Sequence, residues 1–248
     1  MAKRSHLLGF LLPFAILATS APASASPPQL ERKLAALSDA GNGEAAYHLG
    51  MLYHLGLAGV GKDQRKAFTL FKQSTERGDP LGAFKLGCFY DGQGEGVVES
   101  DSTLALKYKM IAAEAGYELA QEDVARHLFA QDDIAGGLRW LEAAAAQGSA
   151  MPALALGGFY SGQMPKGFPS QPANAVKSWT YFLIAARGMP EMREPFEKDA
   201  REKLSKDEYY RVMANVSAWR PARTALTQMA DGGVSEAYIL AGLPVPAN

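Results

Sequence analysis

The 248-residue chain has one cysteine, Cys88, so it cannot close an intramolecular disulfide. It has no surplus of base: 25 Lys and Arg stand against 26 Asp and Glu, a formal net charge of −1. Nucleic-acid binders carry a basic excess or a basic stripe interleaved with aromatics, and neither occurs. No Gly-x-Ser-x-Gly elbow is present, and beyond residue 25 no Ser is followed three residues later by Lys. This removes the signatures of α/β-hydrolases and of penicillin-reactive serine enzymes. The one sustained apolar run, Leu7 to Ala18, is shorter than the roughly 20 residues a spanning helix needs.

That run follows Lys3 and Arg4 and precedes Ala23-Ser24-Ala25, the three-part pattern of a secretory signal peptide. Cleavage is expected after Ala25, giving a periplasmic or released protein that starts near Ser26 and has no membrane span. The remaining 23 basic and 26 acidic residues set its formal charge at −3. No cysteine directly follows the apolar run, so a lipid anchor on a new N-terminal cysteine is not expected. An apolar content of 48% and a charged content of 21% are ordinary for a globular chain.

What the chain does have is glycine in a repeated place. Gly41, Gly78, Gly116, Gly148 and Gly188 each close an Ala-rich stretch and open another, at a period of 32 to 40 residues. A period of this length predicts stacked helix pairs, none of which can bury its apolar face alone. Leu30 to Leu37 reads as half a unit. In the first full unit Ala45, Leu49 and Tyr53 fall on one helix face, a turn runs through Gly59-Val60-Gly61, and Asp63 is placed to cap the second helix. The second unit repeats the wording with Leu86-Gly87, Tyr90, Gly94, Gly96-Val97, Asp101, Ala105 and Ala112-Ala113. The third reads Val124-Ala125 for Leu-Gly and replaces the glycine turn by Asp132-Asp133. The fourth recovers Leu156-Gly157 and Tyr160 and carries a Pro- and Gly-bearing insertion over residues 164–172.

An Ala or Gly before a Leu-Gly pair, a Tyr after it, a Gly-x-Gly-Val turn, an Asp, then Ala-Ala and Gly resembles the Sel1-like repeat, a relative of the tetratricopeptide repeat. The resemblance implies an all-α fold, a right-handed α/α superhelical solenoid of Sel1-like helix pairs with capping helices. The signal peptide then covers 1–25 and the solenoid 26–188, as a half repeat and about four units. C-terminal capping helices and a tail cover 189–248. Within the last part, Ser205-Lys206-Asp207-Glu208 spells a capping box and Pro221 ends the helix that follows.

Enzyme chemistry finds no footing. His48 and His54 lie on different faces of one helix and His127 is distant, so neither a metal site nor a cofactor is expected. Gly92-Gln93-Gly94-Glu95-Gly96 follows a helix rather than a strand, at the repeat's own turn. Tyr53, Tyr90 and Tyr160 recur at equivalent positions, which points to packing; recognition residues should instead vary from unit to unit. In a tetratricopeptide-like stack the first helices line the concave side. The variable positions there are His48, Met51 and His54, then Lys85, Cys88 and Asp91, then Asp123 and Arg126. The expected function is a non-enzymatic protein–protein interaction module with a protein partner in the cell envelope, acting as an adaptor or regulator in signalling, assembly or toxin neutralisation. The alternatives are a ligand-binding protein or hydrolase acting on cell-wall material, and a secreted host-directed factor.

Overall fold

The computed structural model describes residues 28–94, 96–162 and 173–247. The expected signal peptide and the 164–172 insertion lie outside them. The described residues form an all-helical solenoid with no strand. Helix α1 (Gln29–Asp39) packs on the first full pair, α2 (Gly43–Leu55) with α3 (Gln64–Glu76). Three more pairs follow: α4 (Pro80–Cys88) with α5 (Ser102–Glu114), α6 (Glu118–Ala130) with α7 (Ile134–Gln147), and α8 (Ala150–Tyr160) with α9 (Ala175–Ala185). Each second helix also packs on the first helix of the next pair, which makes the row continuous.

Local signals set the boundaries. The Asp63 carboxylate accepts from Lys66 N–H and Asp101 from Thr103 and Leu104 N–H, so both are N-caps. Asp133 does the same for Gly136 N–H, and Asp132 takes a left-handed turn (φ 60°) that makes the short third connection. The glycine of the Leu-Gly pair is a contact device. A β-carbon on Gly50 would come within 2.7 Å of the Phe71 ring, and one on Gly157 within 2.5 Å of the Phe182 ring. In the third unit Ala125 takes the glycine's place and Leu141 the aromatic's, a smaller side chain against a larger neighbour. In the second unit the residue against Gly87 is Lys109.

Helices α10 (Arg193–Lys203) and α11 (Lys206–Ala218) pack on α9 at the C-terminal end of the stack. Ser205 and Glu208 form the capping box that starts α11. The chain beyond Trp219 does not stay at that end. It runs back along the first-helix row and places α12 (Ala225–Gly232) and α13 (Val234–Leu240) over α2 and α1.

This return strap is held at two places. Its polar latch is a buried network in which Gln147 Nε2 donates to Gly116 O and Gln121 Oε1 at 2.8 and 2.9 Å. The Thr224 hydroxyl donates to Gly116 O, the Thr227 hydroxyl donates to Gln147 Oε1 at 2.8 Å with Gly116 O 3.2 Å away, and Ala222 N–H donates to Ala146 O. Its apolar foot sets buried Ala237 and Ala241 among the side chains of the first units. The two short helices, of 8 and 7 residues, are too short to persist alone. They exist because the row beneath them accepts them.

Candidate partner-binding site

The eight variable first-helix residues separate into three environments. His48 and Met51 lie under the strap: His48 is 3% exposed, with its Nε2 3.8 Å from Glu44 Oε1, and Met51 is half-buried against α12 and α13. His54 is half-buried, packed on the rings of Phe71 and Phe89, with Nδ1 2.7 Å from Gln64 Oε1. Burial holds its pKa below the ordinary imidazole value, against the hydrogen bond that the ring donates to Gln64 Oε1. Cys88 is 4% exposed and burial pushes its thiol up to about 11, so it is a packed, protonated side chain. His48 and Cys88 therefore do not belong to an open face; neighbouring helices cover both.

Asp91, Asp123 and Arg126 are brought together, around a residue the pattern reading passed over. Lys109 is 1% exposed, and its ammonium donates to Asp91 Oδ2 and lies 2.6 Å from Asp123 Oδ2. Arg126 pairs with Asp123 at 2.6 Å and approaches Asp91 at 3.7 Å. His127 Nε2 sits 3.4 Å from Asp91 Oδ2 without hydrogen-bond geometry. Asp91 reaches this position because α4 loosens into a wide turn over Phe89–Gln93, where Gly94 N–H bonds to Phe89 O and Gly92 has φ 103°. The sequence did hold a signal for Lys109: it is the lone charge in a column otherwise filled by Phe71, Leu141 and Phe182.

The electrostatics are those of a closed ion group. Burial alone would lower the lysine's pKa, but hydrogen bonds to Asp123 and Asp91 outweigh it and raise the value. Burial likewise pushes the Asp91 carboxyl up, and Lys109, His127 and Arg126 together bring it below the usual range. An ammonium held this way is a cation and not a nucleophile, and the nearby Cys88 thiol stays protonated. The group's open member is Arg126, whose side chain is 61% exposed. Lys85, half-buried on α4 with its ammonium 5.9 Å from the centre of the Phe84 ring, adds a positive charge on the same row.

Beside Arg126 runs an apolar groove of about 550 Å³ between α6 and α8, floored by Phe129, Leu141 and Pro152. Met151 stands in it 59% exposed, and Leu119 on α6 is 48% exposed. The strap skirts this part of the row at the turns around Gly116 and Gly148 and covers α2 instead. Among the described residues no cluster of His, Cys, Asp or Glu has the arrangement of a metal site, and no helix is long and apolar enough to cross a membrane.

The Sel1 repeat family model matches the chain at residues 43–79, 80–117 and 130–149. A solved Sel1 repeat protein from Oxalobacter formigenes is similar, at 23% identity and a TM-score of 0.58, over 76% of this chain and 79% of that one. A protective antigen present in uropathogenic Escherichia coli strains, displaying an SLR fold, is similar at 19% identity and a TM-score of 0.47, over 88% and 52%. An immunity protein from Pseudomonas aeruginosa aligns at 17% and 0.41, over 85% and 73%. The likeness to the Oxalobacter formigenes protein is one of fold. No curated protein sequence matches the chain. The chain therefore carries three stretches that match the Sel1 repeat model, and they lie in the stacked helix pairs described above.

Proposed function

We propose that the protein is a non-enzymatic interaction module of the cell envelope, secreted through residues 1–25, that docks a protein partner on the uncovered part of its first-helix row. The observation that carries this reading is the pairing of exposed Arg126 with the open groove around Met151, on a face that the chain's own strap leaves free. An exposed apolar side chain rimmed by a charge-paired guanidinium is the composition of an interface anchor, with Arg and large apolar groups at its centre. Sel1 repeats form interaction scaffolds, which agrees with a recognition role. The docking residues proposed are Lys85, Asp91, Asp123 and Arg126, joined by Met151; the partner acts in an envelope process such as signalling, assembly or toxin neutralisation.

The test is affinity capture of the tagged mature protein from native envelopes after crosslinking, beside Met151→Asp, Arg126→Gln and Lys72→Glu. Lys72 lies on the second-helix side and its side chain is 62% exposed. A discrete partner should be lost with the first two variants and kept with the third. A partner lost only with Lys72→Glu would move the site to the second helices. Cell fractionation with N-terminal sequencing tests the envelope assignment, which requires a mature chain beginning near Ser26.

A further inference from the structure

The second-helix side of the stack carries one arrangement twice. In the first unit the Tyr53 hydroxyl donates to Glu31 Oε1 from α1, and Lys66 of α3 donates to that hydroxyl with its ammonium 4.0 Å from the ring centre. In the fourth, the Tyr160 hydroxyl donates to Glu142 Oε1 from α7 at 2.8 Å, and the Lys177 ammonium of α9 lies 4.6 Å from the ring centre. Lys66 and Lys177 each stand three residues after the cap of their helix, Asp63 and Asn174, and Thr69 and Thr180 three residues further on. The middle units break the arrangement. Leu104 and Gly136 take the place of the lysines, and Lys107 and Arg139 that of the threonines. Tyr90 packs on Phe68 and Tyr108 instead, and Leu128 replaces the tyrosine in the third unit. A packing device of the repeat would recur from neighbour to neighbour. This one skips two units, so the stack does not require it.

In both units the carboxylate, the ammonium and the threonine line a cleft, of about 430 Å³ between α1, α2 and α3 and of about 490 Å³ between α7, α9 and α11. Both fall in the size range of small-molecule sites. The fourth-unit cleft adds Tyr181, Asn215 and Trp219 to its lining. Its aromatic rings are held in place. Tyr181 stacks on Tyr160 at 5.8 Å and 9°, and Arg187 donates to Trp219 O with its guanidinium 5.0 Å from the indole. Burial, and after it Glu142, keep the Tyr160 hydroxyl protonated. It therefore remains a donor to Glu142 and occupies one of the carboxylate's several lone pairs.

An acceptor and a donor held on the same tyrosine suit neighbouring hydroxyl groups, each of which can give and take a hydrogen bond. One negative and one positive side chain leave no net charge in the lining to attract an ion of either sign. Tyr181 and Trp219 supply apolar ring surface for carbon–hydrogen groups. Neighbouring hydroxyls on a ring with an apolar face are the chemistry of a sugar. We infer that the cleft between α7, α9 and α11 binds an uncharged saccharide, with Glu142 accepting from one ring hydroxyl, Lys177 donating to its neighbour, and the sugar ring against Tyr181 and Trp219. The first-unit cleft has the same polar set and Leu70 where Tyr181 stands, which makes it a weaker second site. Two like sites on one molecule suit a polymer of like units. The cleft lies apart from the docking surface around Met151, and an empty cleft would leave that reading untouched.

The probe is cellotriose, with sorbitol as a polyol that has no ring and triglycine as a zwitterion. Each is titrated into the full chain while the Trp219 indole signal and the Thr69 and Thr180 methyl signals are followed by NMR. Saturable binding of cellotriose is expected at Trp219 and Thr180, at least about fivefold tighter than either control, the contribution of a stacked aromatic face. Saturation at Thr69 should need a higher concentration. Lys177→Met should weaken the response at Trp219 at least about tenfold, the loss of a hydrogen bond from a charged donor, and leave that at Thr69 unchanged. Lys66→Met should do the reverse, and Lys177→Arg, which keeps a charged donor, should bind within about threefold of the parent. An unchanged melting temperature reports that each variant is folded. No saturable shift at Trp219, sorbitol or triglycine binding as tightly as cellotriose, or undiminished binding in folded Lys177→Met would overturn the inference.

Discussion

Replacing Lys109 by Met removes one charge from the middle of the stack and keeps the length of the side chain. The ammonium is 1% exposed and holds two carboxylates, Asp91 and Asp123, whose side chains are 26% and 23% exposed. Breaking a buried ion pair by deleting one partner costs about 3–5 kcal/mol, because the other charge stays behind uncompensated. Here Arg126 continues to pair with Asp123, and both carboxylates keep some contact with water, so the expected loss is near the lower end, about 3 kcal/mol. Phe71, Leu141 and Phe182 show that an apolar side chain suits this position in the other units. Lys109→Met with Asp91→Asn and Asp123→Asn should therefore recover most of the loss, since exchanging a whole buried ion group for neutral residues is often close to neutral. Urea unfolding followed by circular dichroism measures both, with the denaturant slope as the check that the same structure unfolds. A single variant within about 1 kcal/mol of the parent at unchanged slope would refute the closed ion group, as would a triple variant no more stable than the single one.

Three further outcomes follow from the packing. Gly87→Ala places a β-carbon 2.8 Å from Lys109 Cγ and 3.0 Å from Ala105 O, and should cost about 1–3 kcal/mol by overpacking in thermal unfolding. Thr227→Val removes the hydroxyl that donates to Gln147 Oε1 and accepts from Glu118 N–H in the latch; amide exchange should speed up in α12 and α13 and stay unchanged in α8 and α9. His48 binds its proton in the unfolded chain near pH 6.5 and in the folded chain only near 4, so its contribution to stability is present above pH 6.5 and is lost as pH falls towards 4. Glu44 and Asp79, both raised by burial, work in the opposite direction over the acid range. The parent should accordingly lose up to about 3 kcal/mol relative to His48→Gln across that window, read as the difference between the two pH–stability curves.

The parts of the fold that were legible in the sequence are those settled within one unit. Asp63, Asp101 and the Ser205–Glu208 box act on backbone donors two or three residues away, and the Leu-Gly pair meets the second helix of its own hairpin. The strap is a different kind of feature. Its latch joins Thr224 to Gly116 across 108 residues of sequence, and nothing local to α12 or α13 says which surface will receive them. For that reason His48 and Met51 were read as open when they are covered. Cys88 shows the same limit: its column varies between units, yet Cys88 is 4% exposed while Arg126 in the same column is open. The variability argument, which searched the first-helix row, named Asp91, Asp123 and Arg126, and the structure brings these three together around Lys109, which sits on a second helix outside that row.

Photocrosslinking at single positions tests the docking surface most directly. A photoreactive amino acid is placed at Met151 in the open groove, at Met51 beneath the strap, or at Lys72 on the second-helix side, and the protein is irradiated in intact cells. The account predicts one discrete crosslinked protein from position 151 and none from positions 51 and 72. A partner captured from 51 or 72 but not from 151 would contradict it.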